Sequence, residues 1–281
     1  MMRHKTWSAH FLAAVFALAI PLAGSVADTV TWVSFDLPPV YILDGALSGQ
    51  GVGDRQQLFL QRNLPDFDHR VRQADISRLW YDIKNSATLC ATGVFRDEDR
   101  ENAALFSARA ILVPNYRIVA LQSRKADFER FLDGNGALDL DRFAQVDSLK
   151  GAYVGARIHG RTIDRFFRQP ARKITLDAVT KGQLLYNVLI SKRVDFVFAV
   201  PSEIIYYRSL SGAREELVSF PIAGQRQYLK MYTACSRSAL GERVISEVDA
   251  ALANDQRWDE FVAPLKRWVD EADFTMALTH K

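Results

Sequence analysis

The sequence predicts an α/β fold in which a largely parallel sheet is covered by helices on both faces. Two observations carry this reading: β-rich runs alternate with helix-like runs along most of the chain, and Pro, Asn and Gly punctuate the joins between them. The length, 281 residues, suits one large domain or two modest ones behind a short leader.

The leader comes first. Arg3, His4 and Lys5 form a basic start, and the apolar run 11–22 is shorter than the roughly 20 residues a spanning helix needs. Ala23, Gly24, Ser25, Val26 and Ala27 follow, with small residues at the first and third positions before Asp28. Residues 1–27 are therefore expected to be a cleavable signal peptide and the protein to be exported from the cytoplasm; an uncleaved N-terminal anchor is the alternative. Removing Arg3 and Lys5 lowers the formal charge from +3 to +1, which leaves no basic asymmetry that would indicate a nucleic-acid partner.

Val30 to Phe35 reads as a strand that Asp36, Pro38 and Pro39 stop, and Asp54 to Leu64 as a helix behind Gly49, Gly51 and Gly53. His69 to Ala74 reads as a strand, Ile76 to Lys84 as a helix, and Ala87 to Val94 as a third strand. Ala110 to Val113 and Ile118 to Gln122 are extended segments broken at Pro114 and Asn115, as in a connection between lobes. Beyond it come a helix-like stretch near Phe128 to Leu132, a polar loop from Asp133 to Asp141, a strand from Ala152 to Ala156, and a helix starting at Thr162. A helix from Thr180 to Lys192, a strand from Asp195 to Val200, a β segment from Tyr228 to Ala234, and helices Glu242 to Ala253 and Trp258 to Ala272 complete the order.

Few residues stand out chemically. Cys90 and Cys235 are the only cysteines; in an oxidising compartment they can pair, or they can be two buried thiols. His69, His159 and His280 are scattered without metal-ligand spacing, and nothing calls for a cofactor. In the segment TGVFRDEDRENAALFS, residues 92–107, Asp97 suits a helix N-cap and Arg100 falls at the third helical position, where a guanidinium can grip a carboxylate or form a surface ion pair.

This segment resembles the periplasmic solute-binding proteins of family 3, the polar amino-acid type, whose motif runs roughly T-x-x-R with F-S beginning six residues after the arginine. Arg100, Phe106 and Ser107 keep that spacing. Pro38, Pro39, Gly51 and Asp54 extend the resemblance before it, and Asp147, Leu149, Gly151, Gly160, Arg193, Val194, Asp195, Tyr206 and Tyr207 after it. The resemblance implies a two-lobed periplasmic-binding-protein fold of type 2, with two hinge crossovers and a ligand cleft between lobes. The expected boundaries are 28–112 for the first part of lobe 1, 113–200 for lobe 2, and 201–281 for the rest of lobe 1 with the C-terminal helices. It places Cys90 and Cys235 on strands of one sheet and so implies their disulfide.

The resemblance also implies a site. Arg100 would hold a ligand carboxylate, with hydrogen bonds from near Thr92 and Gly93, and the helix start at Gly160, Arg161 and Thr162 would serve the same anion; Thr162 can equally be a plain cap. Three departures stand against a full carry-over. The family's ammonium-binding aspartate is Val200 here, and its stacking aromatic before the prolines is Leu37, while its capping threonine is Asp97. Tyr41 and Trp80 are the candidate substitute aromatic surfaces, or core residues. The expected activity is capture of a small anionic or zwitterionic, carboxylate-bearing solute for an ABC-type importer permease, without enzyme activity. The alternatives are a dehydratase or hydrolase on the same scaffold, to which only His159 lends weight, and a ligand-sensing module for a membrane receptor.

Overall fold

The computed structural model describes residues 27–155, 157–212 and 214–280, so the expected leader lies outside the described residues except for Ala27. The chain runs β1 (Asp28–Ser34), α1 (Val52–Asn63), β2 (Phe67–Gln73), α2 (Ile76–Asn85), β3 (Leu89–Phe95), α3 (Glu98–Ala103), β4 (Ala104–Phe106) and β5 (Ile111–Pro114). It continues with β6 (Arg117–Leu121), α4 (Lys125–Glu129), α5 (Leu140–Phe143), β7 (Lys150–Val154), α6 (Arg161–Phe167), β8 (Thr175–Val179), α7 (Gly182–Ile190), β9 (Phe196–Ala199), α8 (Pro201–Ser211) and β10 (Leu217–Phe220). After these come β11 (Tyr228–Ser236), α9 (Ala239–Ala253), α10 (Asp255–Val262) and α11 (Glu271–Thr279).

Two separate sheets result, one in each lobe. The first has the order β2-β1-β3-β11-β4, with β5 also on β11; the second has the order β10-β6-β9-β7-β8. Strands β1, β2 and β3 are parallel, as the βα alternation predicts, whereas β11 runs antiparallel to its neighbours. The second sheet is also mixed, with β7 parallel to β8 and β9 and β6 antiparallel to β9 and β10. The central strand β3 is buried at every position but its last, which is why it reads as an almost unbroken run of small and apolar residues.

Each lobe closes on its own interior. Trp32, Leu60, Val244, Val248, Trp258 and Trp268 share the larger core of the first lobe, under the C-terminal helices. The second lobe is filled by phenylalanines, among them Phe128, Phe143, Phe196 and Phe198 at 0% exposure. Burying each such ring contributes roughly 1.5–3 kcal/mol, so either lobe has a driving force independent of the other.

The lobes are joined twice, from β5 to β6 and from β10 to β11, and the two crossovers run side by side. The Asn115 amide donates to the Gln227 carbonyl at 3.0 Å, its side chain donates to the Arg226 carbonyl at 2.9 Å, and Gln225 Nε2 donates to the Tyr116 carbonyl at 2.7 Å. A buried cluster pins the junction to the C-terminal helix: Asp273 Oδ1 of α11 accepts from Arg117 at 2.5 Å and from the Tyr228 hydroxyl at 2.8 Å. Arg117 and Tyr228 are the first residues of the strands that leave the two crossovers, so one carboxylate fixes both.

The structure corrects the expected limits in three places. Strand β10 pairs antiparallel with β6, so the second sheet extends beyond the expected boundary at 200 to the second crossover. It is four residues long between acidic residues and Pro221, too short to leave a periodic signal. The helix expected from Trp258 to Ala272 is instead α10, a 3₁₀ turn over Ala263–Arg267, and α11. Pro264 lacks the amide that would continue α10, and Asp270 restarts the chain by accepting from the Asp273 amide at 2.8 Å. Strand β8, absent from the expectation, is a mostly exposed edge strand with little apolar pattern. The cysteines are register partners on β3 and β11 and form the disulfide, with Cα atoms 4.0 Å apart.

Candidate functional site

The loops that follow the carboxyl ends of β1 and β3 meet the second lobe across a cavity of about 310 Å³. From the first lobe it is lined by Leu37 to Val40, Val52, Gly93, Phe95, Val113, Leu229, Met231 and Leu265. From the second lobe come Arg157, Ile158, Val200, Ser202 and Glu203, with Pro114 and Tyr116 from the first crossover. A larger hollow of about 540 Å³ adjoins it across Phe95 and Leu229, but its walls are the first lobe and the second crossover, with nothing from the second lobe. Only the smaller cavity has both lobes as walls, so it is the one that a change of the angle between lobes would open or shut.

Gly93 permits the close approach at the cavity floor. Its φ is +70°, and a Cβ there would lie 2.7 Å from a methyl group of Val40. The polar end is built by the second lobe. Arg157, in the loop after β7, grips Glu203 with both terminal nitrogens, at 2.7 and 2.8 Å. Glu203 is the third residue of α8, behind Pro201, and its Oε1 also stands against Gly182, the first residue of α7, where a Cβ would come within 1.9 Å. The carboxylate thus sits at two helix N-termini, whose partial positive charge stabilises it.

The hydrogen bonds to Glu203 hold the Arg157 guanidinium well above its ordinary range, so it is a permanent cation. Burial raises the Tyr116 phenol, and burial together with the Glu203 charge pushes Tyr207 up to about 12. His159 lies behind the cleft at 3% exposure, with its ring centroid 4.7 Å from Tyr116 and 5.1 Å from Phe167. Among the described residues neither ring nitrogen has a hydrogen-bond partner of ordinary geometry; Asp164 Oδ1 is 3.7 Å from Nδ1. Burial lowers its pKa below the ordinary 6.5.

That shift fixes a sign for stability against pH. Below pH 6.5 the unfolded chain takes up a proton that the folded imidazole resists, so stability falls as pH drops from 6.5 toward the folded value. In His159→Phe this contribution is absent, and urea midpoints measured from pH 7 to pH 5 are expected to fall less than in the parent. An equally steep fall in the variant would assign the dependence to other groups.

The structure separates the residues singled out in the sequence. Gly93, Leu37 and Val200 line the cleft. Thr92 and Tyr41 do not: their hydroxyls are 2.6 Å apart, Thr92 donates to the Gly53 carbonyl at 3.0 Å, and both are fully buried beneath the floor. Arg100 is outside the lining set. Its guanidinium lies 4.7 Å above the Trp80 ring, donates to the Phe95 carbonyl at 2.9 Å and pairs with Asp97 at 3.1 Å. Asp97 does cap α3, accepting from the Arg100 amide at 2.9 Å. Trp80 stacks on Phe106 and is half-buried. Gly160 precedes α6, Arg161 is exposed, and the Thr162 hydroxyl donates to the Gly224 carbonyl at 3.0 Å, so this turn is tied to the second crossover rather than turned into the cavity. Sequence reasoning missed Arg157, Glu203 and Tyr116. Their available signals were position alone, after a strand, just inside a Pro-initiated helix, and beside Pro114.

No family model matches the chain, and no curated protein is similar to it in sequence. The fold has many solved counterparts. One is the probable amino-acid ABC transporter extracellular-binding protein ytmK from Bacillus subtilis, at TM-score 0.62 and 14% identity, covering 86% of this chain and 99% of that one. A histidine kinase sensor domain with similarity to periplasmic binding proteins gives 0.57 at 14% identity over 86% and 95% of the two chains. The ancestral amino acid-binding protein AncCDT-1, a precursor of cyclohexadienyl dehydratase, also gives 0.57, at 11% identity over 86% and 95%. Two sheets, two adjacent crossovers, a cleft walled by both lobes and these likenesses over most of the chain lead to one conclusion: the chain has the two-lobed fold of the periplasmic binding proteins.

Proposed function

We propose that the protein is a periplasmic solute-binding protein, which encloses a small carboxylate-bearing solute between its lobes and presents the closed form to a membrane partner. The observation that carries this reading is the cleft itself, walled by both lobes and the first crossover, with Arg157 at its polar end. A guanidinium has five N–H groups and Glu203 uses two, so Arg157 keeps donors for a second carboxylate. The helix termini that stabilise Glu203 lessen the repulsion that a second anion would meet.

The three kinds of counterpart, transporter protein, sensor domain and precursor of an enzyme, correspond to the three activities the fold can support. The cleft favours binding over catalysis: among the described residues its one carboxylate, that of Glu203, is locked to Arg157, and His159 is outside the lining set. Delivery to an ABC-type importer permease and signalling to a membrane receptor use the same closed form. The test is a thermal-shift screen of organic acids and amino acids on the mature chain, with small-angle scattering on each hit. A binding protein should show a rise in melting temperature and a smaller radius of gyration with the same ligand. Turnover of a hit, seen as product by mass spectrometry, would refute the non-enzymatic reading, and an absence of hits would remove the capture reading.

A further inference from the structure

We infer that the solute is a monocarboxylate with an apolar body and no ammonium group beside its carboxylate. The inference rests on the capture reading and concerns the chemistry of the same cleft.

Among the described residues two charges line the cavity, Arg157 and Glu203, and they are already bonded to each other. A solute carboxylate can share the remaining Arg157 donors. An ammonium has no comparable place. Glu203 is 6% exposed, and its two oxygens are engaged by the guanidinium at 2.7 and 2.8 Å, with Oε1 also crowded against Gly182. An ammonium that reached the same carboxylate would sit against the Arg157 cation and the two helix N-termini, three positive neighbours for one negative one. Elsewhere the wall carries the neutral hydroxyls of Ser202 and Tyr116 among apolar side chains such as Leu37, Val40, Phe95, Val200 and Met231, against which a cation loses most of its water with no charged replacement.

The same surface suits an aliphatic or aromatic body. Ile158, at the tip of the loop that carries Arg157, lines the cavity while 87% exposed, and Phe95 opposite is 39% exposed. Both are large apolar side chains on facing lobes, and an apolar solute between them would cover surface that water now reaches. Val200 is the residue before α8, at the cleft end of that helix. An acid there would line the cavity one helical turn from Glu203 and supply the missing partner for an ammonium.

The experiment compares matched pairs by calorimetric titration of the mature chain: 4-methylpentanoate against leucine, 3-phenylpropanoate against phenylalanine, and the amide of each acid. In the parent protein at least one acid is expected to bind tenfold or more tightly than both its amino acid and its amide. In Val200→Asp the order of acid and amino acid should reverse, with thermal unfolding of the ligand-free variant showing that it is folded. An amino acid that binds the parent as tightly as its deaminated partner overturns this inference while leaving solute capture intact. An amide that binds as tightly as its acid overturns the carboxylate in both readings. Binding of no member of either pair overturns the inference, and whether the wider screen yields a ligand then decides the capture reading by itself.

Discussion

Replacing Cys90 and Cys235 by alanine is expected to cost the protein about 3–5 kcal/mol of stability, read as a fall of roughly 10 °C in melting temperature for a chain of this size. The two residues are 145 apart in sequence, and the chain between them includes the whole second lobe. In the unfolded state the bond therefore closes a long loop, and the entropy it removes is near the upper end of what one disulfide supplies. In the folded state β11 returns from the second crossover to pair with β3, and the bond holds the returning strand to the strand whose end forms the cleft floor. Both cysteines are buried, at 2% and 0% exposure, so the bond should resist mild reductant in the folded protein and yield once the chain unfolds. The check is calorimetry of parent and double-alanine variant, with the parent also run under reductant and its thiols counted after the scan. A melting temperature unchanged in the variant would mean that the packing of β11 carries the stability without the link.

How far the sequence announced this structure depended on how deeply each element is buried. Strands β1, β3, β7 and β9 and the helices α1, α2, α7 and α9 left clear apolar patterns because the cores cover them. Strands β8 and β10 lie at the edges of the second sheet, where one neighbour and partial exposure impose little on the side chains, and both escaped notice. The disulfide was legible once the order of motifs placed both cysteines on one sheet. The site was legible in part. The resemblance brought Gly93 forward as a site residue and Val200 as a departure, and both line the cavity, but Thr92 and Tyr41 spend their hydroxyls on each other. The Arg157–Glu203 pair spans 46 residues and depends on Gly182 leaving room for a carboxylate, a relation among one loop and two helix starts that no local pattern encodes.

Two arginines now compete for the same role, and their substitution should separate them. Arg157→Ala is expected to weaken binding of the solute at least a hundredfold, equivalent to about 2.8 kcal/mol, because it removes the cation that lines the cleft. It should also lower the stability of the ligand-free protein, by about 1–3 kcal/mol, since Glu203 would remain buried without its two charged donors. The loss of fold stability and the loss of affinity can be told apart with Arg157→Met combined with Glu203→Gln, which removes both charges while keeping most of the volume. That pair of changes should recover much of the stability and none of the affinity. Arg157→Lys keeps a charge without the planar fork and should fall between, with affinity down about tenfold. Arg100→Ala, by contrast, should change affinity by less than about threefold, because the Arg100 guanidinium is spent on Trp80, Asp97 and the Phe95 carbonyl. Titrations of all four variants against one parent ligand decide between them. If Arg100→Ala abolishes binding while Arg157→Ala does not, then Arg100 must leave Trp80 when the lobes close, and the anchor is the one that the spacing to Phe106 and Ser107 implies.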